Sequence, residues 1–228
     1  LIVAAFAACV LAALLLLVSS RAAGGQAERR ELTASLAALS QNIPLQAGAA
    51  VRGSAPAFDA LAESRARLEQ VLAAPGAGEA GSEAGWPVFL EQAQAVLDGR
   101  PAALEAQRAA AAVRELVPQL VAAAVGVAQA AGGSRTDPLV LNLERVELRA
   151  QAIEQDLTAL ASGAVPVEAA SRRLTDSIAY IGQVVDSLSG EPTPLGIPGA
   201  TGAVVEPARV FGNVYRSASE QVRTVLAL

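Results

Sequence analysis

Histidine, lysine and methionine are absent from this 228-residue sequence, and cysteine occurs once, as Cys9. Without histidine, the commonest general base and the commonest zinc ligand are both missing. A lone cysteine forms neither an intrachain disulfide nor a thiolate metal site. No glycine-rich phosphate loop, nucleophile elbow or paired catalytic carboxylate motif occurs. The expectation is a protein that is not an enzyme, with no metal and no cofactor. The basic residues number 17 against 22 acidic ones, for a net charge of −5 and a pI near 4.9. That balance argues against a nucleic-acid partner, which needs a basic face. All the basic residues are arginine, which reads as coding bias rather than function. Aromatics make up only 3% of the chain while 53% is hydrophobic, much of it alanine. Such a composition suits closely packed helices better than a sheet sandwich.

What is present begins with "LIVAAFAACVLAALLLLVSS". Residues 1–18 are uninterrupted apolar and no charge occurs before Arg21. At ~1.5 Å rise, eighteen residues cover ~27 Å, about one hydrocarbon core. A cleaved signal peptide has a shorter apolar core and a small-residue cleavage site, so 1–20 is expected to be a retained transmembrane helix. With no methionine and no basic segment ahead of Leu1, the chain is expected to start inside a longer protein.

Beyond this run the pattern is helix after helix. Residues 26–53 carry a seam at Leu32, Leu36, Leu39, Ile43, Gln46 and Ala50, in heptad spacing. Residues 55–74 turn Phe58, Leu61, Leu68 and Leu72 inward. "APGAGEAGSEAG" is a glycine-rich loop. Helices follow at 86–98 and 101–131, the latter expected to kink at Pro118. "GGSRTDP" is the clearest boundary, with Asp137 as cap and Pro138 at the first helical position. The next seams are Leu139, Leu143, Val146, Ala150, Ile153, Leu157 and Leu160, then Leu174, Ile178, Ile181, Val185 and Leu188. "GEPTPLGIPGATG" is irregular, and a last helix occupies about 204–228. The fold class expected is all-α, the anchor leading into two helical-bundle modules at 26–131 and 138–228.

The two modules share a hairpin. Shifting 36–53 by 110 places Gln41 on Gln151, Ile43 on Ile153 and Gly53 on Gly163; shifting the following helix by 113 places Leu61 on Leu174, Ser64 on Ser177 and Leu68 on Ile181. The period is too long for a solenoid and reads as two related modules in series.

"LAALSQNIPLQAGAAVRGSAPAFDALAESRARLEQVL" resembles the first sensor repeat of the PilJ-type methyl-accepting chemoreceptors of type IV pilus twitching motility, through its Leu39-Ser40-Gln41-x-Ile43 core, glycine turn and second helix. "VELRAQAIEQDLTALASG" with "LTDSIAYIGQVVDSLSGE" resembles the second repeat. The resemblance covers about residues 28–75 and 140–191. It implies a periplasmic sensor region in a bacterial inner membrane, homodimeric, contacting pilin or another pilus component. It further implies a chemotaxis-type kinase and coupling protein as partners of a cytoplasmic part outside this chain. Ala37 departs from that pattern, where the family usually has arginine. The input domain of a sensor histidine kinase that detects a small anion, and a membrane-anchored structural or adaptor protein, are the alternatives.

Four residues are candidate ligand contacts. "LRAQ", Leu148 to Gln151, is similar to the ligand stretch of nitrate/nitrite sensor kinases, which makes Arg149 the candidate anion reader, its planar fork suiting a carboxylate or an oxyanion; the alternative is a flanking arginine whose stem covers the seam while its head reaches water. Gln151 and Gln41 are expected beside the packed face, hydrogen-bonding across helices. Arg65 replaces Ile178 of the other repeat and is expected either at a ligand or paired with Glu63 or Glu69.

Overall fold

Glycine and proline punctuate the chain where its helices end. The computed structural model describes residues 26–73, 85–133, 137–162 and 164–227. The expected transmembrane helix at 1–20 lies outside them. Seven α-helices are described: α1 (Gln26–Val51), α2 (Ala55–Ala73), α3 (Gly85–Asp98), α4 (Arg100–Ala131), α5 (Pro138–Ser162), α6 (Val167–Leu188) and α7 (Val205–Leu226). A 3-10 turn at Gly202–Val204 leads into α7. There is no strand among the described residues. Pro44 and Pro118 lie inside α1 and α4, which continue through them.

The helix ends follow local chemistry. α1 stops in a Schellman turn: Gly53, at φ 85°, donates its N–H to the Ala50 carbonyl, and Ser54 donates to that of Ala49. α6 ends the same way, with Gly190 at φ 91° donating to Ser187 and Glu191 to Asp186. At the start of α5, the Asp137 carboxylate accepts the Leu139 N–H at 2.8 Å, ahead of Pro138 in the first turn. That is the cap expected from "TDP".

The chain divides into two compact units between Leu104 and Glu105, inside α4. The boundary expected from the sequence lies 28 residues further on, at Gly132 and Gly133. The difference has a plain cause: Val113, Val117, Leu120, Ala124 and Val127 are buried in the same apolar cluster as α5, α6 and α7, whereas Ala103 and Leu104 pack on the first cluster.

In the first unit α1 and α2 form a hairpin, and α3 packs on both. Leu36, Leu39, Ile43, Ala47 and Ala50 of α1 meet Phe58, Leu61 and Leu68 of α2 and Trp86, Phe89 and Ala93 of α3. Trp86 and Phe89 meet edge to face, with centroids 5.9 Å apart. Ala47 takes the buried place that the heptad assigned to Gln46, which is only half-buried. Arg100 ties the start of α4 to α2, with an ion pair to Asp59 at 2.6 Å and its guanidinium 5.7 Å from the Phe58 ring centroid.

In the second unit α5 and α6 form the equivalent hairpin, and α7 lies along α6. Small residues permit that approach: a Cβ on Gly182 would strike the Tyr215 hydroxyl, and one on Gly212 would sit 3.4 Å from Val185. The proline-glycine segment 190–202 is irregular yet docked. Ala200 donates to the Leu188 carbonyl at 2.9 Å, Ser187 and Thr193 join through their hydroxyls, and Ile197 is buried in the core. α4 is long and apolar enough to cross a membrane by length and composition, although five of its residues line this core.

Candidate ligand-sensing site

The four sequence candidates fall in different surroundings. Gln41 and Gln151 are both exposed, so the expected bonding across the packed face is not their arrangement. Ser40, one residue away, is the buried polar group, and its hydroxyl donates to the Ala37 carbonyl at 2.8 Å. Arg65 pairs with Glu69 at 2.8 Å, one helical turn on, while its Nε is buried without a partner. Arg149 is exposed on α5 with its guanidinium 5.7 Å from the centroid of the Tyr180 ring. Gln151, two positions on and hence about 200° round the helix, lines a shallow groove with Glu154, Gln155 and Thr158. The structure therefore assembles no single site from these four.

Two residues that sequence reasoning passed over organise the surroundings of Arg149. Buried Asn142 donates to the Pro138 carbonyl at 2.7 Å and accepts the Tyr180 hydroxyl at 2.6 Å. Tyr180 is thus fixed as a platform beneath Arg149. Nearer the turn, Asp156 is buried and receives Arg173 from α6, with Nε at 2.7 Å and Nη2 at 2.6 Å. A tyrosine facing an asparagine, and an aspartate inside an apolar seam, were the signals available in the sequence.

The first hairpin is different along the same face. α1 and α2 flank a groove of about 500 Å³, lined on α1 by Ala34, Ser35, Ala38, Leu39, Asn42 and Gln46 and on α2 by Ala60, Glu63, Ser64 and Arg67. The Gln46 Oε1 is buried without a hydrogen-bond partner. Glu63 and Arg67 are exposed at the groove, and neither is in an ion pair among the described residues. Also among the described residues, no three acidic or cysteine side chains gather as a metal site. No protein-family model and no curated protein matches the chain.

Proposed function

We propose that this chain is the periplasmic sensor region of a membrane-bound, chemotaxis-type receptor that controls type IV pilus twitching motility. The observation that supports it best is the recurrence of one helical hairpin. Leu36, Ser40, Ile43 and Ala47 are buried in α1, and so are Val146, Ala150, Ile153 and Leu157, each 110 positions on, in α5. Leu61 and Leu68 of α2 are buried, as are Leu174 and Ile181, 113 positions on, in α6. Paired repeats of this kind are what the resemblance to the PilJ-type receptors requires. Long helices packed through alanine and other small residues also suit a receptor, because two nearly isoenergetic packings suffice to carry a signal. The proposed partner is pilin, whose own long helix would lie against an exposed helix face; the proposed location is the inner membrane, with residues 26–228 in the periplasm.

The test joins motility to contact. Deleting the gene is expected to impair twitching, and photo-crosslinkers at exposed Leu45 and Leu148 are expected to capture pilin in the cell. Normal surface motility of the deletion strain, with no pilin captured from either hairpin, would remove this reading.

A further inference from the structure

The two hairpins are an internal comparison of one framework in two states of filling. In the first, Gln46, Asn42 and Leu39 of α1 and Ala60, Ser64 and Arg67 of α2 line the groove. At the offsets of 110 and 113, the same positions in the second hairpin are Asp156 with Arg173, Ala152 with Ser177, and Arg149 with Tyr180. There two of the three levels are closed by the protein's own pairs, the Asp156–Arg173 ion pair and the Arg149 guanidinium on Tyr180, while at the level between them the Ser177 hydroxyl is buried without a partner. In the first hairpin Ala60 stands at the arginine's position and Gln46 at the aspartate's, and Gln46 Oε1 is buried and unpaired. A buried acceptor without a partner is costly and calls for a donor.

The groove also offers charges of both signs. Glu63 and Arg67 stand one helical turn apart, the spacing at which such residues commonly pair, yet here each remains open toward the groove. Arg67 suits a carboxylate, while Glu63 and the Gln46 oxygen suit an ammonium. Ala34, Ala38 and Ala60 leave room for a short side chain.

We infer that the α1/α2 groove binds a small zwitterion, a free α-amino acid, which supplies in the first hairpin the pairing that the second makes internally. The inference rests on the groove alone and not on the pilus reading; failure of the motility test leaves it standing, and the reverse holds too.

The experiment is calorimetric titration of the full chain in detergent micelles with each standard L-α-amino acid. The N-acetyl and carboxamide derivatives of any binder serve as probes that lack one charge. At least one amino acid is expected to bind, with each derivative weaker by roughly tenfold or more, the scale of one charge-assisted hydrogen bond. Arg67→Ala and Glu63→Gln, at exposed positions that leave folding intact, are expected to weaken binding similarly. Gln46→Asp with Ala60→Arg, which transplants the second hairpin's pair, is expected to abolish it, while Arg149→Ala leaves it unchanged. Absence of binding by every amino acid overturns the inference. So does equal binding of the singly charged derivatives, insensitivity to both Arg67→Ala and Glu63→Gln, or loss on Arg149→Ala.

Discussion

Gly182 shows how much one hydrogen atom in place of a methyl decides in this chain. A Cβ there would collide with the Tyr215 hydroxyl and lie 3.1 Å from the ring carbon that bears it. Gly182→Ala gains up to about 1 kcal/mol of helix propensity but forces Tyr215 off its site, at about 1–3 kcal/mol. Net destabilisation in urea denaturation is the expected outcome, relieved when Tyr215→Ala is added. Tyr215 carries a second consequence. Burial pushes its phenol above the ordinary 10.0, aided by the Asp186 carboxylate and opposed by Arg223. Below 10.0 the folded and unfolded chains both keep the proton, so this group adds no pH dependence. Above it the unfolded chain ionises first, and stability declines until the folded phenol ionises too. Melting temperatures taken between about pH 9 and pH 11 are expected to fall, and Tyr215→Phe to make that fall shallower.

At the scale of the element, the α5/α6 hairpin depends on a charge inside its seam. Asp156 has 8% of its side chain exposed, whereas its partner Arg173 keeps 50%. Removing either is therefore unequal. Arg173→Ala strands a buried carboxylate and is expected to cost about 1–3 kcal/mol; Asp156→Ala frees a guanidinium that already reaches water and costs less. Arg209→Ala, which breaks a fully exposed pair with Glu206, is expected to have no resolvable effect on the same denaturation curve. The turns are the other element-level determinant. Gly53 closes α1 at a positive φ, so Gly53→Ala is expected to cost about 1–2 kcal/mol and to loosen the α1/α2 groove without melting α1.

For the whole molecule, the questions are which side of a membrane each part occupies and what folds unaided. Removal of residues 1–25 takes away the longest apolar run. The remainder is expected to be monodisperse in water with a strongly helical circular dichroism spectrum, since its apolar residues form two cores. Persistent aggregation would weigh against reading 1–20 as a separable anchor. The apolar character of α4 gives the alternative topology. Cysteines placed at Ser82 and Ser134 in a chain lacking Cys9 bracket α3 and α4 together, and a membrane-impermeant thiol reagent is expected to label both from the periplasm. Labelling of one alone would mean that α4 crosses the bilayer and that its buried valines face another environment in the cell. Arg108, Arg114 and Glu115, within its length, make that crossing costly.

Local signals are short-ranged, and they carried the helices, their ends and most of the buried seams. Spacing of 3.6 puts Ile43, Ile153, Leu174 and Ile181 inward whatever they meet, and Gly53, Asp137 and Pro138 act through their own backbone and capping chemistry. The matching buried positions of the two hairpins were legible for the same reason, because equal spacings bury equal positions. What packs on a helix, however, is not written in its own period. Periodicity did not distinguish Gln46 from Ala47 as the inward residue, nor indicate that α4 divides its length between two cores. The docking of Ile197 from an irregular loop was equally hidden. Pairings across a hairpin, Asn142 with Tyr180 and Asp156 with Arg173, join residues 38 and 17 positions apart. They exist only once two helices are brought side by side. The open groove of the first hairpin is likewise tertiary: its residues are ordinary in sequence, and only the pairing of α1 with α2 gathers them around the unpaired Gln46 oxygen.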